Sequence, residues 1–202
     1  MIFDYRAPRA REARLLRSFS GVKAKLCISL AVVLAAGGIS LLLLGNASGW
    51  FVFTLAAWPF ALYVWQKRYL KRLPMGKSES IDSRADPELL AVMPEQLTPK
   101  VLAIAAMSHR GGQFMAARFG LGPNFVAEMS GEDEAQVAPI WLKAFAIQRN
   151  DKPVSGASLV AALILEQPNL KQALPHLQLD ETDVLAGSQW YDHLDELIEA
   201  YH

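Results

Sequence analysis

Two long uncharged stretches, separated by four residues, dominate the first third of this 202-residue chain. The first, residues 26–45, reads LCISLAVVLAAGGISLLLLG, and the second, residues 50–65, reads WFVFTLAAWPFALYVW. An α-helix needs about 20 predominantly apolar residues to cross the roughly 30 Å hydrocarbon core of a bilayer. The first stretch has that length, and the long side chains of Lys67 and Arg68 extend the second. We therefore predict a transmembrane hairpin over residues 26–69, with spans at about 26–45 and 50–66.

Basic residues flank both predicted spans. Residues 1–25 form a basic N-terminal segment with a net charge of +5, residues 66–77 carry five bases and no acid, and the connecting loop is uncharged. Cytoplasmic loops of membrane proteins are enriched in Lys and Arg. The pattern predicts a multi-pass protein of the cytoplasmic (inner) membrane, with both termini in the cytoplasm. The flanking bases, which also attract anionic lipid headgroups, are Lys23, Lys25, Lys67, Arg68, Lys71 and Arg72.

Two other interpretations of the apolar region stay open at this point. A signal peptide has an apolar core of roughly 7–15 residues, and no second apolar run follows it. A buried helical hairpin inside a soluble protein is the other interpretation, but it leaves the flanking bases unexplained.

The rest of the chain has the pattern of an acidic helical domain. We predict a linker over residues 70–87 and a helical domain over residues 88–202. Residues 78–202 carry eight bases and eighteen acids, and this excess negative charge argues against a nucleic-acid partner. No segment alternates with period two for long enough to indicate a sheet. The fold class predicted is all-α: a transmembrane hairpin followed by a domain of two pseudo-symmetric helical repeats.

Local signals predict where the helices of this domain begin and end. Thr98 is the expected N-cap of a helix with Pro99 at its first position, and Gly111-Gly112 is expected to end it. A second helix is expected over residues 132–148, and a nearly all-apolar, central one over residues 158–166. Asp180 is expected to cap a short helix, and Ser188 to cap the last.

An internal repeat appears when the chain is shifted by 58 residues. TPKVLAIAAMSHRGGQFMAARFGLGPNFV, residues 98–126, then falls on GASLVAALILEQPNLKQALPHLQLDETDV, residues 156–184, without a gap. Few residues are identical, but the order of apolar helix, polar turn, short helix, small loop and capped helix recurs. A match over three elements and two loops favours duplication over chance.

Residues 154–184 resemble the second repeat of the Clp N-terminal domain, also called the Clp R domain. That family has a buried helix rich in Leu and Ala, a short helix, and then Leu-Gly-Leu-Asp leading into another capped helix. The corresponding segments here are residues 159–165, 170–176 and Leu177-Gln178-Leu179-Asp180, with Phe119-Gly120-Leu121-Gly122 in the first repeat. The likeness covers roughly residues 90–190. It departs from the family at 156–158, where Gly-Ala-Ser replaces a frequent Thr-Glu-His.

The resemblance implies a protein-interaction module, because such domains receive substrates or adaptors for Clp unfoldases. The chain has no GxxxxGK[ST] phosphate loop. We therefore expect a recruiting element, either standing alone or as the N-terminal part of a longer membrane-bound Clp-type ATPase. Its expected partners are a protein substrate, an adaptor or a Clp-type ATPase or protease, together with the lipid bilayer. The aromatic residues that could line a peptide-binding groove are Phe114, Phe119, Phe125, Trp141, Trp190 and Tyr191.

The sequence shows little catalytic or cofactor chemistry. The single cysteine, Cys27, and four scattered histidines lack metal-ligand spacing, and the carboxylates at 132–134 suit the start of a helix. We predict no enzymatic activity, no catalytic residue, and no metal or other cofactor. Two alternatives remain: a small membrane-anchored hydrolase or modifying enzyme, which needs a pocket joining His, Ser or carboxylates, and a structural scaffold that oligomerises through the hairpin.

Overall fold

The computed structural model describes residues 3–18, 21–70, 73–122, 124–148 and 152–201, apart from the side chains of 66–70 and 199. Within these ranges all regular structure is helical, and one isolated bridge joins Ala85 to Val154. The predicted all-α class is confirmed for this part of the chain. The chain divides into two compact units, one of Glu12–Pro74 and one that combines Met1–Arg11 with Met75–His202.

The first unit contains the apolar helices. Helix α1 (Pro8–Ser18) enters it, α2 (Val22–Leu43) is the longest, and α3 (Ser48–Leu55) continues through a turn at Ala56 into α4 (Ala57–Leu70). Two helical stretches, Val22–Leu43 and Ser48–Trp65, are long and apolar enough to span a membrane. Only 11% and 17% of their apolar windows are buried, whereas a core helix of a soluble protein is mostly buried.

Helices α2 and α3 touch backbone to backbone at two glycines. A Cβ atom on Gly38 would lie 2.7 Å from the Phe53 nitrogen, and one on Gly49 would lie 2.6 Å from the Gly38 oxygen. Small residues allow this close approach, which favours helix association where no hydrophobic effect operates.

The second unit is a helical domain packed around one central helix. Its helices are α5 (Ile81–Arg84), α6 (Pro87–Leu90), α7 (Pro99–Ser108), α8 (Arg110–Phe119), α9 (Phe125–Met129), α10 (Val137–Ile147), α11 (Gly156–Glu166), α12 (Pro168–Ala173) and α13 (Glu181–Ala200), with 3-10 turns at Glu134–Gln136 and Pro175–Leu177. Helix α11 is buried from Gly156 to Leu165 and contacts α7, α8, α10 and α13. This burial and these contacts confirm the predicted central position of the helix. Each of its large aliphatic side chains contributes about 1.5–3 kcal/mol by burial.

Capping residues explain several of the helix starts. The Thr98 hydroxyl accepts a hydrogen bond from the Val101 N–H, and Pro99 is the first helical residue, as predicted. Asp180 accepts from the Asp183 N–H at 2.8 Å while the Asp183 carboxylate accepts from the Asp180 N–H at 3.0 Å. This reciprocal pair starts α13.

Three of the predicted boundaries are wrong. Gly111 and Gly112 do not end a helix but lie in the first turn of α8, where a Cβ on Gly111 would meet the Ala157 nitrogen at 2.7 Å. The helix that Asp180 caps is not short, because it runs without a break to Ala200. Ser188 therefore caps nothing; it is fully buried in the middle of that helix.

The chain on both sides of the apolar helices joins the helical domain. In the segment predicted as a linker, Ile81 and Ala85 are fully buried. In the N-terminal segment, Ala7 and Ala10 are buried, and Arg9 Nη1 donates a hydrogen bond to the Asp82 carbonyl oxygen at 3.0 Å. The folded domain thus includes residues from before and after the hairpin.

Candidate functional site

Three of the six candidate aromatic residues come together where α8 packs on α13. The Phe114 ring lies 6.0 Å from Trp190, edge to face, and 5.7 Å from Tyr191. Arg118 lies over the Trp190 ring, with its guanidinium carbon 4.4 Å from the ring centre. Such contacts contribute roughly 0.5–1.5 kcal/mol each beyond the area they bury. They fix α13 against α8 and leave Trp190 47% exposed.

Phe119 and Phe125 belong to a different, internal cluster. Together with Leu121, Leu177 and Leu179 they line an apolar cavity of about 10 Å³. A cavity of that size holds at most one water molecule. These two aromatic side chains therefore pack the segment that follows α8 against the segment that follows α12. The cavity between them is too small for a peptide side chain.

Trp141 lies in the core of the helical domain. Its side chain is 1% exposed, and Nε1 donates a hydrogen bond to the Glu79 carbonyl oxygen at 2.7 Å. A buried indole N–H needs such a partner. The contact fastens α10 to the chain that leads into the domain, so Trp141 is placed to support the fold.

A groove that the sequence did not reveal runs between α7, α8 and α9. Its volume is about 500 Å³, and its residues are Ile104, Met107, Ser108, Gln113, Ala116, Leu121, Asn124 and Ala127. Pockets that bind small molecules or side chains commonly have volumes of roughly 300–1,000 Å³ and mix apolar walls with a few polar groups. Ile104 is 52% exposed at its edge. No local sequence pattern distinguishes Ile104 from its apolar neighbours in α7.

A buried histidine links the starts of α8 and α11. His109 Nδ1 accepts hydrogen bonds from the backbone N–H groups of Gly111 and Gly156, at 3.0 and 3.2 Å, and Nε2 lies 3.6 Å from Asp86 Oδ1. Burial lowers the pKa of His109, but the Asp86 carboxylate and two further acids outweigh it and raise that pKa. Because Nδ1 is already engaged by two donors, the ring acts here as a helix cap that joins two elements.

Tyr191 packs beside this histidine. Its ring centre is 6.2 Å from that of His109. Burial, reinforced by Asp195, Asp86 and Glu88, raises the pKa of the Tyr191 hydroxyl. The phenol therefore stays protonated near neutral pH and contributes a neutral aromatic wall.

A second polar network surrounds the start of α11. Ser155 and Ser158 form a reciprocal capping box, the Ser158 hydroxyl donates to Gln148 Oε1 at 2.7 Å, and Gln148 Nε2 donates to Asp192 Oδ2 at 3.0 Å. A nucleophilic serine needs a base within hydrogen-bond reach. The hydroxyl of Ser158 meets an amide oxygen instead, so the contacts of this network are those of a helix cap.

The structure describes the side chains of two of the six membrane-flanking bases. Lys23 and Lys25 lie exposed in the first turn of α2. Lys67 and Arg68 belong to α4, but their side chains are outside the description, and Lys71 and Arg72 lie outside the described residues. Among the described residues, no three His, Cys, Asp or Glu side chains are grouped as metal ligands.

Comparison with known proteins adds no identification. No protein-family model matches the chain, and neither a curated protein nor a solved structure matches it significantly.

Proposed function

We propose that this chain is a membrane-tethered protein-interaction module, in which a two-helix anchor holds a substrate- or adaptor-receiving domain like the Clp N-terminal domain at the cytoplasmic membrane face. The observation that carries the proposal is the groove between α7, α8 and α9. It is large enough for partner side chains, it is lined by apolar residues together with Ser108, Gln113 and Asn124, and it is bordered by the exposed Ile104.

The exposure of the apolar helices supports the tether. Val33 of α2 is 66% exposed, Phe51 of α3 is 68% exposed and Trp58 of α4 is 72% exposed. Large apolar side chains exposed on three successive helices need lipid or protein around them. The basic residues at 23 and 25 suit the cytoplasmic end of such a span.

Folding of residues on both sides of the hairpin into one unit supports its topology. Met1–Arg11 and Met75–His202 form a single compact unit, tied by the hydrogen bond between Arg9 and Asp82. Segments that pack together must lie on the same side of a membrane. A hairpin anchor meets this requirement, because it crosses the bilayer an even number of times.

Matching backbone geometry 58 residues apart supports the duplication and the likeness to the Clp N-terminal domain. Gly120 and Gln178 both adopt the left-handed conformation, with φ of 64° and 56°. In each repeat, the N–H of the next residue donates a hydrogen bond to the carbonyl oxygen five residues earlier. These bonds run from Leu121 to Ala116 at 2.9 Å and from Leu179 to Leu174 at 3.1 Å. Gln178 occupies the glycine position of the Leu-Gly-Leu-Asp pattern, and glycine is the residue that this conformation favours.

A site-specific crosslinking experiment tests the groove as the binding site. A photo-reactive residue is placed at Ile104 in the full chain, and a matched one at Leu142 on α10. These side chains are similarly exposed, at 52% and 54%, and Leu142 is not among the groove residues. In intact membranes we expect discrete protein adducts at position 104, including a Clp-type ATPase, protease component or adaptor, and far fewer at 142. Equal adducts at the two positions, or none at 104, would overturn the proposal.

A further inference from the structure

Helix α8, which forms one wall of the groove, carries two arginines and no acid. Arg110 and Arg118 are both exposed, and neither forms an ion pair within the part of the chain that the structure describes. The other charged residues of α7, α8 and α9 are Lys100, which bonds Glu132 at 2.8 Å, and Glu128. Glu128 lies within electrostatic reach of Lys100 at the start of α7, whereas the groove lies along the second half of that helix. The charge on the α8 side of the groove is therefore positive.

Arg118 is held in place by an aromatic ring. Its guanidinium carbon lies 4.4 Å from the centre of the Trp190 ring, and that ring packs edge to face on Phe114. An arginine stacked on an aromatic face still presents the N–H groups along its edge, which can bind a carboxylate through two parallel hydrogen bonds. Because the stacked side chain is already ordered, binding costs it less conformational entropy.

The acids around the two arginines are unequally placed. Arg110 lies within electrostatic reach of the Tyr191 hydroxyl together with three acids, so part of its charge is offset. These acids are Asp195, Asp86 and Glu88. Two acids at the start of α13 are bonded to other groups, Glu181 to Lys171 at 2.6 Å and Asp183 to the Asp180 N–H at 3.0 Å. The stacked Arg118 is therefore the cation on which a ligand's charge would act.

Arg118 and the groove lie on opposite flanks of α8. Successive residues of an α-helix are rotated by about 100°, which places Gln113 and Ala116 on the groove side and Arg118 toward α13, with the exposed Ala117 between them. A helix with its side chains is about 10–12 Å across, and an extended chain rises about 3.3 Å per residue. A segment with one side chain in the groove thus reaches Arg118 with a residue about three or four positions away.

We propose that the groove and Arg118 together bind an extended segment of a partner protein that carries an apolar residue and, three or four positions away, an acidic one. The apolar side chain enters the groove beside Ile104, and the carboxylate accepts hydrogen bonds from the Arg118 guanidinium. The side-chain amides of Gln113 and Asn124 offer both donors and acceptors to the backbone of the segment. This inference rests on the proposed function and names the class of ligand that the groove takes.

Three synthetic peptides test the charge preference. They share one Leu-Phe pair and carry Glu, Gln or Lys at the third and fourth positions after it. Binding is measured by fluorescence anisotropy against the full chain in nanodiscs of neutral phosphatidylcholine, with empty nanodiscs subtracted. We expect the Glu peptide to bind about tenfold more tightly than the Gln peptide, the Lys peptide to bind most weakly, and added salt to reduce the difference.

Unspecific attraction predicts the reverse order. Residues 78–202 contain eighteen acids and eight bases, so the domain as a whole attracts a basic peptide and repels an acidic one. A preference for Glu over Lys therefore requires a local positive site.

Three variants at exposed positions locate the binding. R118Q is expected to remove the preference for the Glu peptide and to leave binding of the Gln peptide unchanged. R6Q, which removes an exposed arginine outside α7, α8 and α9, is the matched control and is expected to keep the preference. I104S is expected to weaken the Glu and Gln peptides by the same factor, because both lose the same apolar contact.

The proposal is overturned if the three peptides bind equally, if the Lys peptide binds most tightly, if none binds, or if R118Q keeps the preference. A loss of the preference in R6Q would also overturn it. None of these results decides whether the groove receives partner proteins, which the crosslinks at Ile104 test separately. Adducts at position 104 without a preference among the peptides would remove this inference and leave the proposed function standing.

Discussion

Two fully buried serines have opposite surroundings at the residue scale. Ser158, in the first turn of α11, donates to Gln148 Oε1 at 2.7 Å and completes a capping box with Ser155. Ser188, in the middle of α13, has a buried hydroxyl that finds no hydrogen-bond partner among the described residues. A satisfied hydroxyl adds roughly 0.5–1.5 kcal/mol to stability, whereas an unsatisfied buried one costs about 1–3 kcal/mol.

Replacing each serine by alanine is therefore expected to have opposite effects. S188A raises the free energy of unfolding by about 1 kcal/mol, because the uncompensated hydroxyl is removed. S158A lowers it by about 1–3 kcal/mol, because Gln148 loses its donor and the cap is broken. Chemical denaturation of the full chain in detergent, followed by helical circular dichroism, measures both. A loss of stability in S188A would show that its hydroxyl has a partner in solution.

The close approach of α2 and α3 governs the hairpin at the scale of the element. Gly37 and Gly38 are neighbours in sequence, but a Cβ on Gly37 meets nothing within 4 Å, whereas one on Gly38 meets the backbone and Cβ of Phe53. Backbone cannot move aside as a flexible side chain can. The two glycines therefore form a matched pair for testing this packing.

G38V is expected to destabilise the hairpin by about 1–3 kcal/mol, the usual cost of overpacking, and G37V to change it little. The measurement is the apparent melting temperature of the full chain in detergent, read by size-exclusion chromatography after heating. One kcal/mol corresponds to roughly 2–4 °C for a chain of this size. Equal shifts for the two variants would show that the helices do not meet at Gly38.

At the scale of the whole molecule, the proposed anchor predicts a defined topology, because the segments on both sides of the hairpin belong to one compact unit. In a chain with Cys27 replaced by Ala, single cysteines are placed at Ala47, between α2 and α3, and at Glu95, in the helical domain. Both positions are exposed. A membrane-impermeant maleimide that reaches the outer face of the membrane in unlysed cells is expected to label A47C. It is expected to label E95C only after the cells are lysed. Labelling of both positions, or the reverse pattern, would contradict an anchor that returns to the cytoplasm.

Local physics explains how much of the fold could be predicted. Uncharged length predicted both apolar helices within a few residues of Val22–Leu43 and Ser48–Trp65. The caps at Thr98 and Asp180 were predicted because a cap involves only residues three or four apart. The central position of α11 followed from a helix that is apolar on every side.

Boundaries that depend on distant neighbours were missed. Gly111-Gly112 resembles a helix end, yet the backbones of Ala106 and Ala157 press against these positions and require glycine inside α8. Ser188 resembles an N-cap, yet α13 continues through it. Val184, one turn before Ser188, and Asp192, one turn after it, are both buried on the same face of the helix.

The residues of the candidate site, too, were predicted in part from the sequence and in part decided by packing. Composition identified the aromatic residues, but only packing separated Phe114, Trp190 and Tyr191 from the internal pair Phe119 and Phe125. The groove beside Ile104 arises where α7, α8 and α9 stop covering one another. No local pattern contains that information.

By itself, the sequence determined the two apolar helices, the all-helical class of the described chain and the caps at Thr98 and Asp180, because hydropathy, periodicity and capping act over a few residues. Only the tertiary structure decided that Arg9 bonds to Asp82, 73 residues away, and so that the chain on both sides of the hairpin builds one domain. Contacts across such separations depend on how all the intervening helices pack, and packing is a property of the assembled chain.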